Sequence, residues 1–218
     1  MSPHQPYIVW QGHQIIAVCK PFGMPSQDDP SGDLSILGWT QEQLGCELHL
    51  LHRLDRPTGG LILLSSSKKA AASLNRQFES REVKKVYLGV TEGVPSERAA
   101  TLSHHIAKLP GKNFVRAYDK KVRHSKPAVL RYEVAQTSGD FSLLEIHPET
   151  GRRHQIRAQL RTVKLPLVGD QKYGKGKPLP YPGIALWAYK ITFCDPSGQK
   201  QTLSAPPPDD EPWNLFDF

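Results

Sequence analysis

Cysteine is scarce in this chain. The three present, Cys19, Cys46 and Cys194, are far apart and odd in number. They form no C-x-x-C pair, so neither a zinc site nor a disulfide framework is indicated, and small buried thiols in a reducing compartment are the expectation. Long apolar runs are missing too. Nothing approaches the roughly 20 residues of a membrane span. The first 14 residues lack the charged-then-apolar layout of a secretory signal. No internal repeat is visible. Hydrophobic content is only 38%, yet charge is well mixed, so wholesale disorder is not expected. A length of 218 residues suits one domain with a real core and is short for two.

Acidic residues are also in deficit, 21 against 28 Lys and Arg, for a net charge of +7. Four of those acids, Asp209, Asp210, Glu211 and Asp217, lie in residues 206–218, which hold no base. Residues 1–205 therefore set 28 bases against 17 acids, a balance of +11. A basic body fits a nucleic-acid partner. A soluble enzyme with a basic isoelectric point fits equally, and charge alone does not separate the two.

The pattern of elements is mixed. Residues 8–10 and 14–18 read as short strands about a turn. Asp33 is a plausible N-cap for a helix ending at Gly45. Residues 61–65, an apolar run closed by serine, read as a strand buried on both faces. Residues 68–82 carry Ala71, Leu74 and Phe78 at helical spacing. Residues 85–91 alternate as a strand, with Tyr87 on the face opposite Val86 and Leu88. Further strands are expected at 100–107, 128–136 and 141–147, the last two joined by the turn Ser138-Gly139-Asp140. A helix is expected over 152–163, and a closing hairpin over 184–193 and 199–204. About nine strands to three helices predicts an α+β domain with a mixed or mainly antiparallel sheet. Residues 1–205 read as one domain, and 206–218 as a proline-rich acidic surface extension.

The most informative stretch is His52-Arg53-Leu54-Asp55-Arg56-Pro57-Thr58-Gly59-Gly60. It sets an aspartate in a basic, glycine-closed loop ahead of an apolar strand. A carboxylate between Arg53 and Arg56 should stay ionised, and an ionised, positioned carboxylate is a nucleophile or a base. The two arginines suit a polyanion such as RNA or DNA. The bland alternative is a turn aspartate that caps or pairs locally. His104-His105 is an adjacent pair on a strand, so the two rings face opposite ways and cannot share a metal. His52 and His154 have no carboxylate or cysteine at ligand spacing and read as structural hydrogen-bonders.

The loop resembles the catalytic segment of the RluA-type RNA pseudouridine synthases, H-R-L-D with a short T-S-G-like closure. Four other segments resemble that family's motifs in order: Lys20-Pro21-Phe22-Gly23-Met24, Lys84-Lys85-Val86-Tyr87, Gly151-Arg152-Arg153-His154-Gln155-Ile156-Arg157, and Gly169-Asp170-Gln171-Lys172-Tyr173-Gly174. Any one is weak, but the ordered set covers most of the chain. The resemblance implies the pseudouridine-synthase fold, a bent, mixed, mainly antiparallel sheet with flanking helices and a central cleft. It implies conversion of uridine in ribosomal or transfer RNA to pseudouridine, with no cofactor and no metal. Asp55 would be the nucleophile. Arg157 would hold it by a salt bridge, and Tyr87 would stack on the flipped uracil and help remove a proton.

RNA contacts are expected from Arg53, entering the stack where the base leaves, from Arg56 and Arg153, and from Lys20, which would meet a phosphate or the cleft wall, with Leu186 against the base. Arg153, Arg157 and Arg161 would form one helix stripe, of which Arg161 is the solvated member. Larger relatives carry an S4-like module, for which this chain has no room ahead of Lys20. A cytoplasmic monomer acting on an RNA stem-loop is the expectation. Three departures stand out: Thr58-Gly59-Gly60 replaces T-S-G, Leu186-Trp187-Ala188 replaces L-H-A, and Leu130 replaces a threonine in A-x-T-x-Y. The rivals are a glycosylase, which commonly needs a second carboxylate or a metal, and a catalytically silent RNA-binding module.

Overall fold

A computed structural model describes residues 4–218; residues 1–3 of the expected 1–205 domain lie outside the described residues. In chain order the elements are β1 (Tyr7–Gly12), β2 (Ile15–Lys20), α1 (Ile36–Leu44), β3 (His49–Leu50), β4 (Gly59–Ser65), α2 (Lys68–Glu79) and β5 (Lys84–Glu92). There follow β6 (Ala99–Lys108), β7 (Val115–Tyr118), β8 (Lys126–Ser138), β9 (Phe141–Pro148), α3 (Gln155–Thr162), β10 (Leu186–Cys194) and β11 (Lys200–Ser204). The class is α+β, with mixed, mainly antiparallel strand pairing.

The chain forms two compact units. The first comprises Met1–Lys85, Tyr181–Gly183 and Trp187–Pro208. Its strands run in the order β1-β2-β4-β10, with β3 on β4 and β11 on β10. Only the β4–β10 ladder is parallel among them. Every residue of β2 and β4 is buried, as a continuous apolar run requires of a central strand. Helix α2 turns Ala70, Ala71 and Leu74 inward and packs on β4.

The second unit comprises Val86–Pro180, Ile184–Leu186 and Asp209–Phe218. Its strands run β5-β9-β8-β6-β7, all antiparallel. Its core gathers Leu130, Leu144, Ile146, Ile156, Leu160 and Leu167, with α3 supplying two of them.

Three expectations need correction. Helix α1 starts later than Asp33 implies, because Ser35 is the N-cap: its hydroxyl accepts from Gly38 N and donates to Asp28. Gly45 ends the helix in the left-handed conformation, as expected. Helix α3 begins at Gln155, since His154 sits at φ 49°, so Arg153 precedes the helix instead of sharing its stripe. Residues 206–218 are not a surface extension. Trp213 is fully buried, Phe216 nearly so, and Gln136 on β8 exchanges hydrogen bonds with the Asp217 backbone.

Candidate active site

In the first unit the Asp55 loop is clamped at its backbone. Ser26 Oγ donates to the Leu54 carbonyl at 2.8 Å and accepts from Leu54 N at 3.0 Å. Thr58 N donates to the Asp55 carbonyl at 2.9 Å, closing a four-residue turn. The Arg56 carbonyl accepts from Gly23 N at 3.0 Å and from Lys20 Nζ at 3.2 Å. Asp55 itself is half-buried, with Leu54 and Thr58 buried on either side. A polar side chain thus projects from a segment that has little freedom to move.

Lys20 does not have the place expected of it. Its side chain has no exposed surface, and its ammonium donates to the carbonyls of Pro21 (2.9 Å), Met24 (2.8 Å) and Arg56. Burial pushes its pKa down to about 7, with the Asp55 carboxylate pulling the other way. A lysine so enclosed is not available to a phosphate. It ties the segment after β2 to the Asp55 loop and places a cation near that carboxylate.

The two arginines of the loop part company. Arg53 is exposed, and no described residue binds its guanidinium. Arg56 is exposed but committed to Asp33, Asp29 and Ser31, and the Asp33 contact raises its pKa. Asp55 is therefore not wedged between two guanidinium groups; Arg56 serves the loop through its carbonyl. His52 is structural, accepting from Leu63 N at 3.1 Å, and burial drives its pKa down to about 3.

In the second unit Arg157 is 5% exposed on α3. Its guanidinium forks onto Asp170, Nε to Oδ2 at 2.7 Å and Nη2 to Oδ1 at 2.8 Å. Asp170 Oδ1 also accepts from the backbone N–H groups of Lys172 and Tyr173, both at 3.1 Å. The Tyr173 hydroxyl lies 2.9 Å from His154 Nδ1 and accepts from Val115 N at 3.0 Å, and the Tyr173 ring lies under the Arg157 guanidinium, 5.0 Å away. Asp170 and Tyr173 are site residues that the sequence reading left without a role, although their motif was visible. A planar guanidinium held on one edge by a carboxylate and on one face by an aromatic ring is fixed in direction.

Tyr87, on β5, packs on the core cluster that contains Leu186 and Ile156, so these three come together in one unit with Arg157 next in sequence to Ile156. Arg153 is exposed and bonded to Asn113. Arg161 is exposed, with its guanidinium 5.8 Å from the Phe114 ring, in keeping with a solvated position. His104 is buried against Gln159 and Thr162, while His105 is only partly buried on the other face. Asp55, Arg53, Arg56 and Lys20 thus belong to the first unit, and Tyr87, Arg153, Arg157 and Leu186 to the second.

Residues 14–162 match the sequence profile of the RNA pseudouridylate synthase family, and the chain belongs to that family. It is 32% identical over 179 residues to the ribosomal large subunit pseudouridine synthase C of Rickettsia bellii, covering 80% of this chain and 59% of that protein. It is 31% identical over 181 residues to a tRNA pseudouridine synthase C of Yersinia pestis, covering 77% of this chain and 70% of that one. The fold matches human RNA pseudouridylate synthase domain containing 4, with a TM-score of 0.76 and 25% identity over 92% of this chain and 88% of that one. The chain spans about three fifths of the length of the Rickettsia relatives.

Proposed function

We propose that this chain is an RNA pseudouridine synthase acting on a uridine in a stem-loop of ribosomal or transfer RNA, as a cytoplasmic monomer. The observation that carries the reading is the Asp55 turn, a half-buried carboxylate on a backbone clamped by Ser26, Lys20 and Thr58, inside a chain of this family. The reaction breaks the N1–C1′ bond, turns the base and forms C5–C1′. The C5 proton leaves and N1 regains one, so the balance needs no oxidant or cofactor. Asp55 assists by adding to C1′, or by taking a sugar proton to give an unsaturated intermediate. Tyr87 supplies a ring for the uracil and a hydroxyl for the proton at C5. Arg157, aligned by Asp170, is the residue to which the family resemblance gives the carboxylate.

Recognition rests on exposed cations such as Arg53 and Arg153, whose contribution is sequence-blind and weakens with salt. Selectivity then comes from bases that can be splayed out cheaply, which loops offer and duplexes do not.

The test uses a synthetic stem-loop carrying labelled uridine. Conversion by the wild-type chain is expected, with Asp55→Asn binding the RNA normally and losing several orders of magnitude in rate. Release of free uracil would favour a glycosylase. Equal reaction of a fully paired duplex would refute this account of recognition.

A further inference from the structure

Two of the three departures from the family pattern, glycine at 59 and tryptophan at 187, fall on one contact. Gly59 opens β4 and stands in register with Trp187 in the parallel β4–β10 ladder. A Cβ built on Gly59 would lie 2.3 Å from Trp187 Cζ3 and 2.6 Å from Cε3. Carbon atoms in ordinary contact stand about 3.5–4.0 Å apart. Even an alanine at 59 therefore has no room while the indole stays where it is.

Neither side can yield easily. Trp187 is fully buried, its Nε1 donates to the Ala205 carbonyl at 2.8 Å, and its ring tilts against Phe22 at 5.2 Å between centroids. On the other side the backbone of β10 crowds β4. The next residue, Gly60, has φ +108°, and a Cβ there would stand 2.4 Å from the Ala188 carbonyl oxygen. The benzo edge of Trp187 thus rests on bare backbone immediately after the turn that Thr58 N closes onto the Asp55 carbonyl. Phe22, tilted against the indole, lies in the segment whose Gly23 N–H holds the Arg56 carbonyl. The indole therefore touches both pieces of chain that fix the Asp55 turn.

We propose that Trp187 is a positioning residue for the Asp55 turn, and that residues 59 and 187 form a size-exchange pair in which the indole requires glycine opposite it. The positioning half rests on the catalytic reading of Asp55; the packing half does not. A histidine at 187 keeps a ring N–H for the Ala205 carbonyl but lacks the benzo atoms that meet Gly59, and so opens the space an alanine needs.

The test is a double-mutant cycle of four chains: wild type, Gly59→Ala, Trp187→His, and the pair together. Two readouts are taken on each, the thermal midpoint and the single-turnover rate of pseudouridine formation at saturating stem-loop RNA, with RNA affinity measured separately. Gly59→Ala should lose about 10²-fold in single-turnover rate, the scale of a misplacement near 1 Å, with affinity held within about threefold. Adding Trp187→His should recover rate and midpoint, so that alanine at 59 costs less than about threefold in the Trp187→His background. A wild-type rate in Gly59→Ala overturns the positioning half. Additive effects on the midpoint across the cycle overturn the packing half. If Gly59→Ala alone does not fold, a folded double variant supports the pair and an unfolded one overturns it. A wild-type chain that makes no product would overturn the catalytic reading and the positioning half with it, while the melting cycle still decides the packing.

Discussion

In an Asp170→Asn chain the shape of the side chain is kept and one charge is lost. Oδ1 of Asp170 accepts N–H groups from Arg157 Nη2, Lys172 and Tyr173, and Oδ2 accepts Arg157 Nε at 2.7 Å. The asparagine oxygen will therefore take the Oδ1 position, and its NH2 will face the Arg157 Nε–H, donor against donor. Arg157 cannot shed its proton to relieve the mismatch. Breaking a buried ion pair by removing one partner costs about 3–5 kcal/mol. Three of the four hydrogen bonds survive the substitution, which places the expected loss at the low end, about 3 kcal/mol. A chain of this size loses about 2–4 °C of Tm per kcal/mol, so the midpoint should fall by about 6–12 °C. Urea unfolding at neutral pH reads the same quantity as a lower midpoint with an unchanged slope. Stability within about 1 kcal/mol of wild type in Asp170→Asn would refute the reasoning.

Two more predictions follow the same logic. Tyr87→Phe should bind the stem-loop with unchanged affinity and lose product formation, since the ring stays and the hydroxyl goes; an unaltered single-turnover rate would assign Tyr87 to packing alone. His52, whose neutral ring accepts from Leu63 N, has its folded pKa depressed to about 3. Its contribution is complete above the unfolded value, near 6.5, and is lost as pH falls toward 3. Between about pH 4 and 6 the wild-type unfolding free energy should therefore fall more steeply than that of His52→Gln, by at most about 1.4 kcal/mol per pH unit, and parallel curves would sink the idea.

What could be read in advance was what local pattern controls. The apolar run of β4 and the turn at Ser138-Gly139-Asp140 lie in the fold as their residues imply, and β5 forms where expected, although Leu88–Thr91 are buried in succession and do not alternate. The misses have physical causes. Asp33 and Ser35 are both good caps, and only Asp28, seven residues upstream of Ser35, favours the second. The start of α3 depends on a left-handed histidine, a conformation that glycine or asparagine adopts more readily. Strand β7 has only four residues between charged flanks, and its partner β6 supplies the ladder. The buried Trp213 was masked by the acids around it. Within the candidate site, Asp55 was legible because its motif is contiguous. The pairing of Arg157 with Asp170 was not, since 13 residues separate them and only the fold brings guanidinium to carboxylate. Lys20 was misread because a charge reads as exposed, and the Arg56 carbonyl that holds it is 36 residues away.

The buried polar side chains of the chain argue for function on their own. Lys20, Thr58, His154, Gln155, Arg157 and Asp170 are each less than a tenth exposed, and each stands in one of the segments that resemble family motifs. Hydrocarbon side chains of similar volume would often stabilise such positions as well or better. A fold selected for stability alone would have little reason to keep a lysine ammonium on three carbonyls or an ion pair in a core. Their geometry supplies what packing cannot. Lysine holds a loop at one chosen carbonyl, and a forked guanidinium on a carboxylate has one direction and not several.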